Sequence, residues 1–306
     1  MTDPESAGGI AAVASALAKP FEKLIDACAA GAGHLYEPVG IRRRAHAEAD
    51  AQLILAEAKG RETEVALRAA HRLLDIEQRR QQNIEAVVEK ARLSLPLTVS
   101  EKPVDPDWSA RFFSQVEDVS NEDMQLLWGK LLAGEVAEPG SFSPRTLRIV
   151  SDLTALEAEL FESLCSMRLL GMGRPAVFYM QRDELYPRMG LGWSEMQQLQ
   201  AAGLVHDHGL SGLEFTATAG PTYFEAPGNV LFILTSDEPR SLPAGKISLT
   251  PAGVEMARLA RWIWNDNHIR KCIAGWQSAG WNVSDKTIVN RCSDGNVEFT
   301  DREMPA

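Results

Sequence analysis

Apolar positions recur at helical spacing through most of the first half of the chain, and in short runs through the second. In residues 8–36, Ile10, Val13 and Leu17 lie at i, i+3 and i+7, and Phe21, Leu24, Ile25 and Cys28 continue the stripe beyond Pro20. Proline has no backbone donor and is expected to break or kink this segment. From Ile41 to Leu93 there is no proline and one glycine, Gly60, and the residues are mostly Ala, Glu, Arg, Leu and Gln. These are good helix formers, and Glu57–Arg61, Glu64–Arg68 and Asp75–Arg79 place an acid four residues ahead of a base, the favourable order. A helix over 40–94 would span roughly 80 Å at about 1.5 Å per residue, too long to bury itself on one small domain. Its stripe changes phase at Gly60. Ile41, Ala45, Ala49, Leu53 and Ala56 share one face; Val65, Ala69, Leu73, Ile76, Ile84, Val87 and Ala91 share another. A break near Gly60 is expected. The second stripe is wider than a coiled-coil seam, and its members Val65, Leu73, Ile76, Ile84 and Val87 are the expected oligomer interface.

After the linker LPLTVSEKPV (95–104), residues 105–170 read as a bundle of four short helices. Trp108, Phe112, Phe113 and Val116 line the first. Ser120-x-x-Asp123 suggests an N-cap for the second and Gly134 its C-cap; Ser143 followed by Pro144 opens the third; Thr154-x-x-Glu157 is a capping box for the fourth. Residues 171–265 mix elements. AVFYM (176–180) reads as a buried strand, Ser194-x-x-Gln197 caps a helix, and LVHD and LEFTAT flank a Gly-rich turn as a hairpin would. VLFIL (230–234) and KISL (246–249) add strands before Thr250-Pro251 opens a helix, VEMARLARWIW. That order predicts a winged-helix-like α+β unit. Residues 266–306 read as a polar tail with weak strand signals at TIVN and VEF. The expected fold class is mainly α: residues 1–39 an amphipathic Gly/Ala-rich segment, 40–94 a long helix, 105–170 a helical bundle, 171–265 the winged-helix-like unit, and 266–306 the tail.

Composition narrows the function. The 306 residues are 45% hydrophobic and 24% charged, enough to bury a core and unlike a disordered, collagen-like or disulfide-scaffold chain. The net charge is -11, from 31 Lys+Arg against 42 Asp+Glu. That opposes a nucleic-acid partner, and the candidate recognition helix SEMQQLQAAG carries no Arg or Lys for phosphates. A winged-helix DNA-binding regulator is therefore the alternative rather than the main reading. The basic cluster Arg42-Arg43-Arg44 fits a solvated helix end better than a lipid or nucleic-acid contact. Cys28, Cys165, Cys272 and Cys292 form no C-x-x-C pair, and the acidic N-terminus MTDPES lacks the positive region of a secretory signal. Reduced thiols and a cytoplasmic location, with peripheral contact to the inner membrane as a variant, are expected. The segment 8–36 packs on its own protein or a neighbouring subunit, or lies on a membrane through Ile10, Val13, Leu17 and Phe21.

No phosphate-loop, nucleophile-elbow, zincin or Rossmann pattern occurs. His206-Asp207-His208 puts two imidazoles on one side of a strand, but two residues do not make a metal site. No catalytic residue, cofactor or metal is expected. The stretch VSNEDMQLLWGKLLAGEVAEPGSFSPRTLRIVSDLTALEAELFESL (119–164) resembles a bacterial family of unknown function and the helical core of the Abi-alpha abortive-infection family. An acidic pair stands before "LWGKLLAG", and a short loop and a helix lead on to "LT-x-x-E-A". The opening GHLYEPVGIRRRAHAEADA and the closing LTPAGVEMARLA carry the first resemblance over 34–265. The helix 45–70 is also similar to the long helices of prohibitins and flotillins. What the resemblance implies is an antiphage, abortive-infection-like component. It brings no catalytic residue with it. A non-enzymatic homo-oligomer acting through a protein partner or a membrane surface is the expected function.

Overall fold

Helix caps and apolar stripes set the first half of the chain, and strand pairing sets the second. The protein is described by a computed structural model over residues 18–31, 63–171, 174–177, 184–209, 212–216, 220–292 and 296–301. It divides into two units, Met1–Ser151 and Asp152–Ala306.

In the first unit, residues 18–31 are helical (α1), with Pro20 in the first described turn; the stretch before it, and so the expected break, lies outside the described residues. Leu24, Ala27 and Cys28 face inward. Gly31 follows at the same spacing, where a Cβ would run into the Ser109 backbone and the Phe113 ring. Helix α2 spans Thr63–Ser94, so the expected break at Gly60 lies outside the described residues. Helices α3 (Pro106–Val116), α4 (Glu122–Ala137) and α5 (Pro144–Asp152) complete the unit. Asp105 caps α3, its carboxylate accepting from the Trp108 N–H at 2.9 Å. Asn121, not Ser120, caps α4: its extended backbone lets the side-chain oxygen accept from the Met124 N–H at 3.0 Å. Gly134 does not end α4, which continues to Ala137. Ser143 does cap α5, accepting from the Thr146 N–H at 3.3 Å.

Packing in this unit centres on the second half of α2. Ile84, Val87, Val88 and Ala91 are buried, and α4 lies against this stretch. Gly129 on α4 permits the approach, because a Cβ there would stand 2.7 Å from Lys90 Cβ and 2.9 Å from the Ala91 nitrogen. Phe112 joins α3 to α4, stacked on Trp108 at 5.1 Å and edge-on to Trp128 at 5.3 Å. Asn83, buried on α2, donates to the Glu117 carbonyl at 2.9 Å, which ties α2 to the turn between α3 and α4.

The second unit overturns the mainly α expectation. Helix α6 (Ala155–Ser166), opened by the Thr154/Glu157 capping box, leads to β1 (Leu169–Gly171) and β2 (Arg174–Ala176). Then follow α7 (Leu185–Arg188), α8 (Trp193–Ala201), β3 (Val205–Asp207), β4 (Glu214–Thr216), β5 (Thr222–Ala226) and β6 (Val230–Thr235). The chain continues through β7 (Ser241–Pro243), β8 (Ile247–Leu249), α9 (Pro251–Ala257), α10 (Asp266–Ser278), β9 (Asn282–Arg291) and β10 (Val297–Asp301). Six strands form one antiparallel sheet in the order β10-β9-β6-β5-β1-β2. One face of it buries Phe224, Phe232 and Leu234 with Trp276 of α10 and Trp281; the Phe224 and Trp276 rings stack at 5.5 Å.

The winged-helix-like unit is corrected by the same pairings. LVHD and LEFTAT do not form a hairpin: β3 pairs with β8, and β4 with β7. β6 takes β9 as its outer partner, from beyond residue 265, so no wing closes within 171–265. The physical reason is length. Three-residue strands carry too little pairing to fix their own partner, whereas the ten-residue β9 offers β6 a six-residue ladder, Val230↔Thr287 to Thr235↔Asn282. The stretch VEMARLARWIW is helical only to Ala257. Beyond it, Trp262 donates to the Arg168 carbonyl at 2.7 Å, and Trp264 packs on the sheet core beside Phe232.

Candidate functional site

Among the described residues, His268 and the thiols of Cys28, Cys165 and Cys272 are buried. In the second unit, α10 carries His268 and Cys272 one turn apart. The His268 Nδ1 stands 3.3 Å from the Tyr186 hydroxyl, and its Nε2 stands 3.5 Å from the Cys272 Sγ. Burial depresses the imidazole to about 4, opposed by a hydrogen bond with the Met167 backbone, and raises the Cys272 thiol to about 12. A neutral imidazole beside a protonated thiol is the reverse of the ion pair that activates a cysteine nucleophile. Burial likewise raises Cys165 well above the ordinary thiol range and Cys28, in the first unit, to about 12. These groups fasten helices together: Tyr186 comes from α7 and His268 from α10.

His206-Asp207-His208 is spread over local bonds. The His208 Nε2 lies 2.7 Å from the Ser248 hydroxyl, and Asp207 accepts from the Gly209 N–H at 2.8 Å. No group of three His, Cys, Asp or Glu side chains suited to a metal ion occurs among the described residues.

The stretch 119–164, which carried the family resemblance, is structural in detail. Trp128 is core and Gly129 is the close approach to α2. Glu135 is buried, and its two carboxylate oxygens accept from the Gly140 N–H at 2.6 Å and the Phe142 N–H at 3.0 Å, holding the loop before α5. Sequence reasoning missed Glu135. A lone acid inside an apolar helical run was its only signal.

The five residues expected at an oligomer interface fall into two groups. Ile84 and Val87 are 6% and 0% exposed, consumed by the chain's own bundle. Val65 and Leu73 are 65% and 53% exposed, with Ile76 half-buried between these extremes. On the same side of the helix, Arg68 and Arg72 are exposed. Of the four residues considered for membrane contact, Ile10, Val13 and Leu17 lie outside the described residues. Phe21 is exposed on α1 beside Ile25. The lysines of α1 are engaged locally: Lys19 pairs with Glu101, and Lys23 donates to the Ser100 and Lys102 carbonyls. No helix among the described residues is long and apolar enough to cross a membrane.

The protein family DUF2806, described as a protein of unknown function, matches residues 67–271, from within α2 to within α10. No likeness to the Abi-alpha family is found. No curated protein and no solved structure matches.

Proposed function

The chain belongs to the DUF2806 family of proteins of unknown function, and we propose that it acts by association, as a self-assembling scaffold rather than as a catalyst. One observation carries this reading. The first half of α2 presents Val65 and Leu73 to solvent while the second half of the same stripe is buried in the bundle. An apolar stripe that continues past its own core is a surface for another helix. The burial of His268, Cys165 and Cys272 supports the same reading, because it weakens the imidazole as a base and keeps the thiols protonated, out of reach of a substrate. The setting we propose is bacterial antiphage defence. It rests on the sequence pattern of residues 119–164 alone, since the family comparison finds only DUF2806.

The test is the mass in solution at tens of micromolar. The intact protein is expected well above the 33.6 kDa of one chain, and Leu73→Asp is expected to lower that mass with the helical content unchanged. A wild-type protein that runs as a single chain overturns the scaffold. The defence setting has its own test. Expression in a host challenged with a phage panel is expected to lower plaque counts, and unchanged counts across the panel overturn it.

A further inference from the structure

Two exposed apolar faces in the first unit match each other in chemistry. On α2, Val65 and Leu73 are exposed, with Arg68 and Arg72 also exposed one turn apart beside them. On α1, Phe21 and Ile25 are 37% and 38% exposed, with Glu22 and Asp26 exposed one turn apart beside them. A basic pair flanks one apolar row and an acidic pair flanks the other. At about 100° per residue, Arg68 and Arg72 lie on the trailing side of the Val65–Leu73 row, and Glu22 and Asp26 on the leading side of the Phe21–Ile25 row. Flanks of opposite hand meet when two helices run in the same direction, as the g and e rows do in a parallel coiled coil.

A two-fold pairing of α2 with α2 offers no such match. Antiparallel, it sets the arginine flank of one copy against the arginine flank of the other, and like charges at that spacing repel. Parallel, it sets that flank against the side of α2 holding Leu67, Ala70, Leu74 and Glu77, where Ala70 is 8% exposed and already covered and Glu77 is paired with Arg80 of its own helix at 3.4 Å. Nor can α1 meet the α2 row of its own chain. Lys23 is anchored to the linker carbonyls at residues 100 and 102, beyond the C-terminal end of α2. Leu73 is 21 residues before that end at Ser94, about 30 Å along the helix.

We infer that the protein assembles head to tail: the Phe21/Ile25–Glu22/Asp26 face of α1 in one copy docks in parallel on the Val65/Leu73–Arg68/Arg72 face of α2 in the next. This rests on the scaffold reading and adds its geometry. The contact is heterologous, so it grows into a ring or an open filament rather than stopping at a two-fold pair.

Two variants, each blocking one face, test this by mass in solution. Ile25→Lys blocks the α1 face and Leu73→Asp blocks the α2 face; both side chains are exposed, so the fold is expected to hold. Each variant alone is expected to lose the higher assembly, since any contact needs one face of each kind. Mixed in equal amounts, they are expected to form a one-to-one complex and nothing larger, because each supplies the face the other lacks. The charge exchange Asp26→Arg is expected to weaken assembly, and adding Arg72→Glu in the same chain to restore it. If the wild type assembles but Ile25→Lys assembles equally, or the mixture gives no complex, the head-to-tail contact is wrong and the scaffold survives. If the wild type is a single chain, both fall.

Discussion

Glu135 is 1% exposed and accepts from two backbone N–H groups in the loop before α5. Removing it leaves the buried Phe142 N–H without an acceptor, at about 1–3 kcal/mol, whereas the exposed Gly140 N–H can turn to water. Glu135→Ala is therefore expected to lower stability by roughly 1–3 kcal/mol, read as a fall in the urea midpoint; a change within about half a kcal/mol would show that the loop finds other acceptors. His268 makes a pH prediction. Its folded value, depressed by burial to about 4, lies below the ordinary 6.5. The unfolded chain therefore takes up the proton first as pH falls. The stability from keeping this imidazole neutral is complete above about pH 6.5 and is lost progressively towards pH 4, by up to roughly 3 kcal/mol. His268→Asn is expected to flatten this part of the stability–pH curve; a wild-type curve already flat between pH 4 and 6.5 would refute the assignment. Neither residue announced itself in the sequence. A lone acid or histidine in an apolar run reads the same whether it is a ligand, a base or a buried strut, and only the partners brought by folding separate those roles.

At the scale of the element, α2 does two jobs along one stripe. Val87 is fully buried and Leu73 is 53% exposed, although the two are equivalent in periodicity. Val87→Asp places a charge in the bundle core and is expected to cost more than about 3 kcal/mol or to abolish folding. Leu73→Asp is expected to leave the unfolding midpoint of dilute protein within about half a kcal/mol while reducing assembly. Equal effects on stability would mean that Leu73 is also core. Some helix caps were legible and others were not: Gly192, with no side-chain cap, stands before α8 where Ser194 was expected to cap. The Thr154/Glu157 box and Ser143 before Pro144 are as the residues indicate, because a cap is satisfied within its own turn. The end of α4 was not legible. Gly134 permits a stop but does not impose one, and tertiary packing of Glu135 and Val136 carries the helix on.

For the whole molecule, the part read as a polar tail is structural: α10, β9 and β10 supply Trp276, Trp281 and the outer strands of the six-stranded sheet. Ending the chain at residue 265 removes the partner of β6 and the helix that covers it. Such a truncation is expected to lose the cooperative unfolding transition of the second unit and expose it to limited proteolysis; a truncated protein with both transitions intact would refute this. The helices of the first unit, the caps at Ser143 and Thr154, the net acidity and the stripe on α2 were legible in the sequence alone, because each depends on residues within a few positions of one another; Asn121 and Gly192 stand as N-caps where Ser120 and Ser194 were expected. The strand signals were legible as well: VLFIL became β6, KISL contains β8, and TIVN lies within β9. What only the tertiary structure decided was which strand pairs with which, where α9 stops, and which half of the α2 stripe is core. A strand of three residues has no preferred partner until longer neighbours order the sheet, and a stripe has no inside until another helix lies on it.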